Sequence, residues 1–164
     1  MDTAARTDLA FRLASAEDIP QLAEMVNAAF TVEAFMEGTR TSAAELAEEL
    51  AKGSILIAED NSGRLCGSVY IEPRGTCGYL GMLAVAPAAQ HMGLARHITE
   101  EAFARLRAAG CKLAEIVVLS LRTELLSLYR RWGFVETGPV DFNPGRGVKP
   151  GFEVYGIRME KPLD

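Results

Sequence analysis

Apolar and polar residues are spaced along this chain in a way that predicts a mixture of helices and strands. Apolar residues recur every three or four positions in four segments, which we expect to be helices: residues 16–30, 43–52, 95–109 and 123–132. Shorter β-rich runs separate them and are expected to be strands: residues 10–13, 54–59, 65–71, 79–86, 113–119, 134–140 and 152–159. This order predicts an α/β protein with a mixed sheet of about six or seven strands.

The turns between these elements indicate how neighbouring strands pair. The triplet Asn61-Ser62-Gly63 is typical of a tight turn, so the strands on either side of it are predicted to form an antiparallel hairpin. Residues 79–86 are almost continuously apolar, which indicates a central strand covered on both faces. A full helix separates this strand from residues 113–119, so the two are expected to pair in parallel through a right-handed crossover.

Length and charge narrow the class of protein. With 164 residues, of which 49% are hydrophobic and 24% charged, the chain is expected to be one globular domain over residues 1–164, with a core over about 10–161. Lysine and arginine total 17 against 22 aspartates and glutamates, a net charge of −5. Nucleic acid is therefore a disfavoured partner, because it is bound by dense positive surfaces.

Cysteine usage and the first residues indicate the compartment. The three cysteines are an odd number without ligand-like spacing to either histidine, so we expect reduced thiols and no metal site. The first ten residues lack the apolar stretch of a signal peptide, and no apolar run has the roughly 18 residues of a membrane helix. A cytoplasmic protein that does not contact membranes is the expectation.

One segment carries a recognisable chemical arrangement, a central strand followed by a loop and a helix. The loop has the sequence Gln90-His91-Met92-Gly93-Leu94-Ala95, directly before the predicted helix. Unpaired N–H groups at a helix start, reached past small residues, can bind a phosphate. Taken alone, this loop is better interpreted as an ordinary helix entry in which glycine eases packing.

Three motifs together resemble those of the GNAT-type N-acetyltransferases. They are Leu-x-Val-x-Pro at residues 83–87, Gln-x-x-Gly-x-Ala at residues 90–95, and Leu-Tyr-x-x-x-Gly-Phe at residues 128–134. The order of predicted helices and strands from residue 11 to residue 161 also matches that family. The resemblance implies a GNAT-like, mostly antiparallel sheet with a central parallel strand pair, flanked by helices.

The resemblance also implies acetyl-CoA as cosubstrate and a role for each matched position. The pantetheine arm and pyrophosphate would be held by main-chain groups of two consecutive segments: Met82, Leu83, Ala84 and Val85, then Gln90, His91, Met92, Gly93, Leu94 and Ala95. An N–H near Ala84 or Val85 would polarise the thioester carbonyl. Tyr129 would lie beside the sulfur as general acid, with anchoring of its helix as the alternative.

Two positions depart from the family pattern. Arg122 occupies a position where relatives often have an asparagine bonded to the cofactor, so it is predicted to contact phosphate or the surface, or to be a solvated cation. Gly81 lies where relatives often have a glutamate that accepts the substrate proton. The candidate bases are therefore Glu72 first and Glu115 second, each of which could instead be a solvated charge at a strand end.

The predicted function is transfer of an acetyl group to a primary amine, a small molecule or an amino acid, by direct attack. The acceptor is expected between two irregular segments, residues 31–41 with Glu33 and Glu37, and residues 143–151 with Arg146 and Lys149. A degenerate module that binds acetyl-CoA or a protein without turnover is the alternative, and a second copy of the chain is a candidate partner. A dinucleotide oxidoreductase is disfavoured because G-x-G-x-x-G is missing.

Overall fold

The structure is a computed structural model that describes residues 9–141 and 146–164. Within these ranges the strands are β1 (Ala10–Leu13), β2 (Ser54–Glu59), β3 (Leu65–Arg74), β4 (Cys77–Val85), β5 (Leu113–Leu119), β6 (Val135–Val140) and β7 (Gly156–Pro162). The α-helices are α1 (Ile19–Ala29), α2 (Ala43–Lys52), α3 (Leu94–Ala108) and α4 (Thr123–Arg131). The predicted alternation of strands and helices is confirmed.

The strands form a seven-stranded sheet in the order β1-β2-β3-β4-β5-β7-β6. Among the described residues, β4 and β5 are the parallel pair and the other neighbours are antiparallel. Helix α3 connects β4 to β5, and a crossover of this length is what a parallel pair needs. The predicted hairpin of β2 and β3 and the central parallel pair are therefore both confirmed.

Helices cover both faces of the sheet. Because successive side chains of a strand point to opposite faces, alternate residues belong to two different cores. On one side, Ile55 and Ile57 of β2 pack with Leu22 of α1 and Leu46 of α2. On the other side, the intervening Leu56 belongs to a larger core with the buried residues of α3 and α4. The first core supports the segment after α1, and the second supports the start of α3, so the two faces position different parts of the site.

Helix α2 begins where the sequence predicts. The Ser42 hydroxyl accepts a hydrogen bond from the Glu45 N–H at 3.2 Å, which satisfies one of the N–H groups left unpaired at a helix start. The loss of such a cap costs about 1 kcal/mol. Leu46, in the first turn of the helix, is fully buried against β2. The cap therefore fixes where α2 begins, and Leu46 fixes which side of the helix faces the sheet.

The last strand begins later than the apolar pattern indicates. Residues 152–159 were expected to be a strand, whereas β7 spans Gly156–Pro162. Phe152 and Tyr155 are 51% and 53% exposed, and Phe152 packs beside Phe35, with 6.3 Å between ring centroids. These aromatic residues raised the apolar content of the segment without lying in the sheet, which explains the wrong start.

Candidate active site

The central parallel strands separate at the carboxyl end of β4. They pair only over residues 77–79 of β4 and residues 113–115 of β5. Beyond these pairs, residues 80–83 and 116–119 line a cavity of about 500 Å³. The separation leaves main-chain groups of two neighbouring strands available to a ligand, because they have no partner across the gap.

A bulge in β4 sharpens this opening. Ser68 pairs with Ala84 and Tyr70 pairs with Gly81, so Met82 and Leu83 both lie opposite the single residue Val69. Met82 has a positive φ of 54°, in the left-handed region that residues other than glycine rarely adopt. A bulge leaves its extra residue outside the ladder and turns nearby main-chain groups. Both residues of this bulge, Met82 and Leu83, line the cavity.

The loop after β4 ends in an uncapped helix start. The Gln90 side chain donates from Nε2 to the Val85 carbonyl at 3.1 Å, which ties the loop back to β4. His91 and Gly93 have positive φ values of 66° and 76°, and no side chain caps α3 at Gly93. The first N–H groups of an α-helix have no acceptor within it, and the helix dipole adds partial positive charge there. This arrangement suits an anion such as a pyrophosphate.

Tyr129 lies on α4 and lines the cavity. Its side chain is 8% exposed and is held edge-on by Trp132 and Phe134, with centroid distances of 5.4 and 5.5 Å. Burial raises the pKa of Tyr129 to about 12. The hydroxyl therefore keeps its proton throughout the physiological range and can act as a proton donor.

A buried ion-pair cluster forms another part of the lining. The Glu33 carboxylate accepts hydrogen bonds from Arg122 Nη1 at 2.7 Å and from Arg146 Nη2. Arg122 also donates from Nε to the exposed Glu124 at 3.0 Å. Arg40 lies over the Phe30 ring, 5.2 Å from its centroid. Because its side chain is only 13% exposed, Arg122 is not the solvated cation of the alternative interpretation.

Three carboxylates of α2 contribute acidic lining. Glu45, Glu48 and Glu49 lie three and four residues apart, so they share one face of the helix. Burial raises the pKa of Glu49 above its ordinary value, and the nearby Lys52 and Arg40 only partly offset this. A carboxylate whose pKa is raised towards neutrality is better matched to proton abstraction than a fully solvated one.

Tyr79 occupies the space beside Gly81, the position that departs from the family pattern. A Cβ atom at Gly81 would lie 2.8 Å from the Tyr79 Oη and 2.9 Å from its Cε2. The Arg74 guanidinium stacks on the Tyr79 ring, with its Cζ 4.4 Å from the ring centroid. Tyr79 lines the cavity, and burial raises the pKa of its hydroxyl. The Tyr79 hydroxyl therefore occupies the space that a side chain at residue 81 would need.

The two candidate bases predicted from sequence lie outside the lining of this cavity. Glu72 accepts hydrogen bonds from Tyr70 Oη at 2.5 Å and from Arg74 Nε at 2.8 Å, and these donors lower its pKa, Arg74 most strongly. Glu115 pairs with Arg158 at 2.7 Å. Both carboxylates are engaged by cations, so a role as base stays a prediction for each.

The remaining predicted positions fall into two groups. Met82, Leu83, Arg122 and Tyr129 line the cavity. Ala84 and Val85 continue β4 beyond it, and Gln90, His91, Met92, Gly93, Leu94 and Ala95 form the loop and the first turn of α3. Apart from Arg122, the predicted cofactor positions therefore follow one another from the end of β4 to the first turn of α3. Their contact with acetyl-CoA stays a prediction.

The two segments expected to hold the acceptor do meet. Met36 forms a β-bridge with Val148, and the Glu37 N–H donates to the Gly147 carbonyl at 2.8 Å. Residues 143–145 of the second segment lie outside the described residues. Glu33 was expected to attract a cationic amine, but its carboxylate is already bound by two arginines. Within the described ranges, the cavity carboxylates without such partners are those of α2.

Sequence reasoning missed several residues of this cavity, among them Arg40, Glu49 and Tyr79. These three residues carry no motif, because each reaches the cavity only through the packing of its segment against the sheet. For Tyr79 a signal was present, since it lies two residues before Gly81 and therefore on the same face of β4.

Neither a metal cluster nor a membrane helix occurs in the part of the chain that the structure describes. Residues 9–141 and 146–164 contain no group of three His, Cys, Asp or Glu side chains placed to hold a metal ion. In the same residues no helix is long and apolar enough to span a membrane.

This geometry agrees with a family assignment. The model of the acetyltransferase (GNAT) family matches residues 19–134, and the chain belongs to that family. The match spans α1 to Phe134, three residues after α4, so it includes the separated strands, the uncapped helix start and Tyr129. The resemblance inferred from the three motifs is confirmed.

Individual relatives are distant. The chain is 34% identical over 80 residues to a mycothiol acetyltransferase of Beutenbergia cavernae, covering 48% of this chain and 27% of that protein. It is 30% identical over 98 residues to an IAA acetyltransferase of Azospirillum brasilense, covering 60% of each chain. A phosphinothricin acetyltransferase of Sinorhizobium meliloti, solved with acetyl-CoA, has a TM-score of 0.72 at 21% identity, covering 95% of this chain and 89% of that one. This structural likeness shows a shared fold.

Proposed function

We propose that the protein transfers the acetyl group of acetyl-CoA to the primary amine of a small molecule, such as an amino acid. The observation that carries this proposal is the opening between β4 and β5, which lies at a cavity lined by Tyr129, with the uncapped start of α3 following β4 along the chain. The named relatives are acetyltransferases that do not share one acceptor, which supports the reaction type and leaves the acceptor to be found.

The residues along β4 and the loop after it present main-chain groups suited to the chemistry of acetyl-CoA. Acetyl-CoA supplies an acetyl group activated as a thioester. N–H groups of the segment from Gln90 to Ala95 would bind the pyrophosphate, because the loop presents them without a competing side-chain cap. Main-chain groups of Met82 to Val85 would bind the uncharged pantetheine arm, with the bulge at Met82 exposing them.

Proton transfers accompany the exchange of the C–S bond for a C–N bond: the ammonium nitrogen loses two protons, the second to solvent as the amide forms, and the departing sulfur gains one. An alkylamine is mostly protonated at neutral pH, so a base must take a proton before its nitrogen can attack. Glu49 is our candidate for this role, because it lines the cavity and burial raises its pKa. Glu72, the first candidate from sequence, would have to act from outside the lining. Tyr129 would then donate its proton to the departing sulfur, while burial keeps the hydroxyl protonated.

A panel of amines, amino acids and peptides tests the proposal. Each compound is incubated with acetyl-CoA and the protein, and the acetylated product is quantified by mass spectrometry. This readout avoids thiol reagents, which would also react with the partly exposed free Cys77. We expect acetylation of at least one compound to depend on Tyr129. Binding of acetyl-CoA without any product would favour the alternative, a module without turnover, while absence of binding would contradict both.

A further inference from the structure

The buried charges around the cavity do not balance. Three guanidinium groups, those of Arg40, Arg122 and Arg146, lie around one buried carboxylate, that of Glu33, and Arg122 has a further partner in the exposed Glu124. Glu33 is shared between Arg122 and Arg146. Within residues 9–141 and 146–164, Arg40 has no ion-pair partner, and burial lowers its pKa. Removing charges from water without compensating partners costs several kcal/mol, so this excess of positive charge favours a negatively charged ligand.

Arg146 has a hydrogen-bond donor without a partner. Its side chain is 8% exposed, and its Nη2 donates to Glu33. Its Nε is fully buried and has no acceptor among the residues that the structure describes. Buried donors are almost always satisfied, because an unmet charged donor loses its hydration without replacement. Arg146 lines the cavity, so an acidic group there would meet a guanidinium that the described residues leave incompletely satisfied.

The acidic face of α2 lines the same cavity. Glu45, Glu48 and Glu49 carry negative charge that can hold an ammonium group. The lining therefore combines a positive region around Arg146 with a negative region on α2. One molecule that carries both an amine and an acid would match both regions, whereas a simple alkylamine would leave the arginines unmatched.

Acetyl-CoA does not account for the arginines. Its pyrophosphate is assigned above to the start of α3, and the pantetheine arm that would reach the cavity carries no charge. Arg40 and Arg146 therefore remain for the second substrate.

We propose that Arg146, together with Arg40, is a subsite for an acidic group of the acceptor, and that the acceptor is an amino acid or a zwitterion built like one. This inference rests on the proposed function and specifies its substrate class. The shared chemistry is an oxyanion with two or more acceptor oxygens, which a guanidinium binds through parallel hydrogen bonds. A carboxylate and a phosphorus oxyanion both meet this description, and the experiment distinguishes them.

The first test measures binding without turnover. The protein is melted with CoA and with matched sets of ligands: each of the standard amino acids, its carboxamide and, where one can be made, its aminophosphonate. We expect some acids to raise the melting temperature while their carboxamides do not, and the larger shift to show whether a carboxylate or a phosphorus oxyanion is preferred. Arg146→Met should remove the shift. Arg107→Met, which removes an exposed arginine near the end of α3, should not.

The second test measures kcat/KM for each acid and its carboxamide. Losing one charge-assisted hydrogen bond weakens binding about 10- to 100-fold, so Arg146→Met should lower kcat/KM for the acid by this factor and leave the carboxamide unchanged. KM for acetyl-CoA should not move. Arg146→Lys keeps the charge without the planar donors and should fall between the two. Arg40→Met repeats the test from another segment if Arg146→Met fails to fold.

The outcomes separate this inference from the function on which it rests. Acetylation of acids and carboxamides with equal kcat/KM, or an equal loss for both in Arg146→Met, would overturn the subsite and leave the transferase. Acid-dependent binding that depends on Arg146 without any acetylated product would support the subsite and contradict the transferase. An absence of any acid-dependent shift across the set would also overturn the subsite.

Discussion

The cofactor half and the acceptor half of this site are built in different ways. The proposed cofactor half consists of main-chain groups from one contiguous stretch, the end of β4 and the loop that starts α3. The acceptor half consists of charged side chains from distant segments, with Glu33 and Arg146 separated by 113 residues. A backbone site depends on local conformation, whereas a side-chain site depends on the packing of the whole fold.

This difference determines which substitutions matter in each half. In the cofactor half, a side chain can change with little effect unless it alters the backbone or fills the space beside it. In the acceptor half, the charges belong to individual side chains, so single substitutions should alter specificity while leaving acetyl-CoA binding intact. The following predictions test that separation.

The largest effect is expected for Gly93→Glu. This change forces a side chain onto a backbone with φ of 76° and places a negative charge at the proposed pyrophosphate site. We expect binding of acetyl-CoA, measured by calorimetry, to be lost. Gly110→Glu is the matched control, because it has a positive φ of 92°, lies just beyond the other end of α3 and has open space around it. Retained binding in Gly93→Glu would show that the anion lies elsewhere.

Tyr129→Phe should slow turnover by about 10²- to 10⁴-fold, the usual contribution of a general acid. The phenylalanine ring keeps the edge contacts with Trp132 and Phe134, so the fold and the Kd for acetyl-CoA should change only a few-fold. Steady-state kinetics and calorimetry measure the two effects separately. A variant with the wild-type kcat would make Tyr129 a packing residue, with sulfur protonated by water.

Glu49→Gln and Glu72→Gln compare the two candidate bases. Glutamine keeps the shape and removes the proton acceptor. We expect kcat to fall at least tenfold in Glu49→Gln, and less than threefold in Glu72→Gln because Arg74 and Tyr70 already occupy that carboxylate. Melting temperatures control for folding. The reverse order of effects would restore Glu72 as the base.

The pH profile should be asymmetric. A base works deprotonated, and burial raises the pKa of Glu49, so the acid limb of kcat should lie above the pKa of an ordinary glutamate and disappear in Glu49→Gln. A general acid works protonated, and the pKa of Tyr129 is raised to about 12, so kcat should not fall between pH 8 and 10. A basic limb below pH 10 would contradict the assignment of Tyr129.

The same contrast explains what could be read from the sequence. The strand, loop and helix that form the proposed cofactor half are contiguous, so motif spacing predicted their order along the chain. The acceptor half required contacts such as Arg122 with Glu33, 89 residues apart, which no local pattern reports. The predicted start of β7 was wrong for a related reason. Exposed aromatic residues near the acceptor segments resemble strand residues when their burial is unknown.

Thermal melting with acetyl-CoA tests the central claim most directly, because it needs no acceptor. A ligand that binds only the folded state at a hundredfold excess over Kd stabilises it by about 2.7 kcal/mol. For a domain of this size, each kcal/mol shifts the midpoint by about 2–4 °C, so we predict a rise of about 5–11 °C. Arg146→Met should show the same rise, since its side chain belongs to the acceptor half. A melting temperature unchanged by millimolar acetyl-CoA would contradict the account.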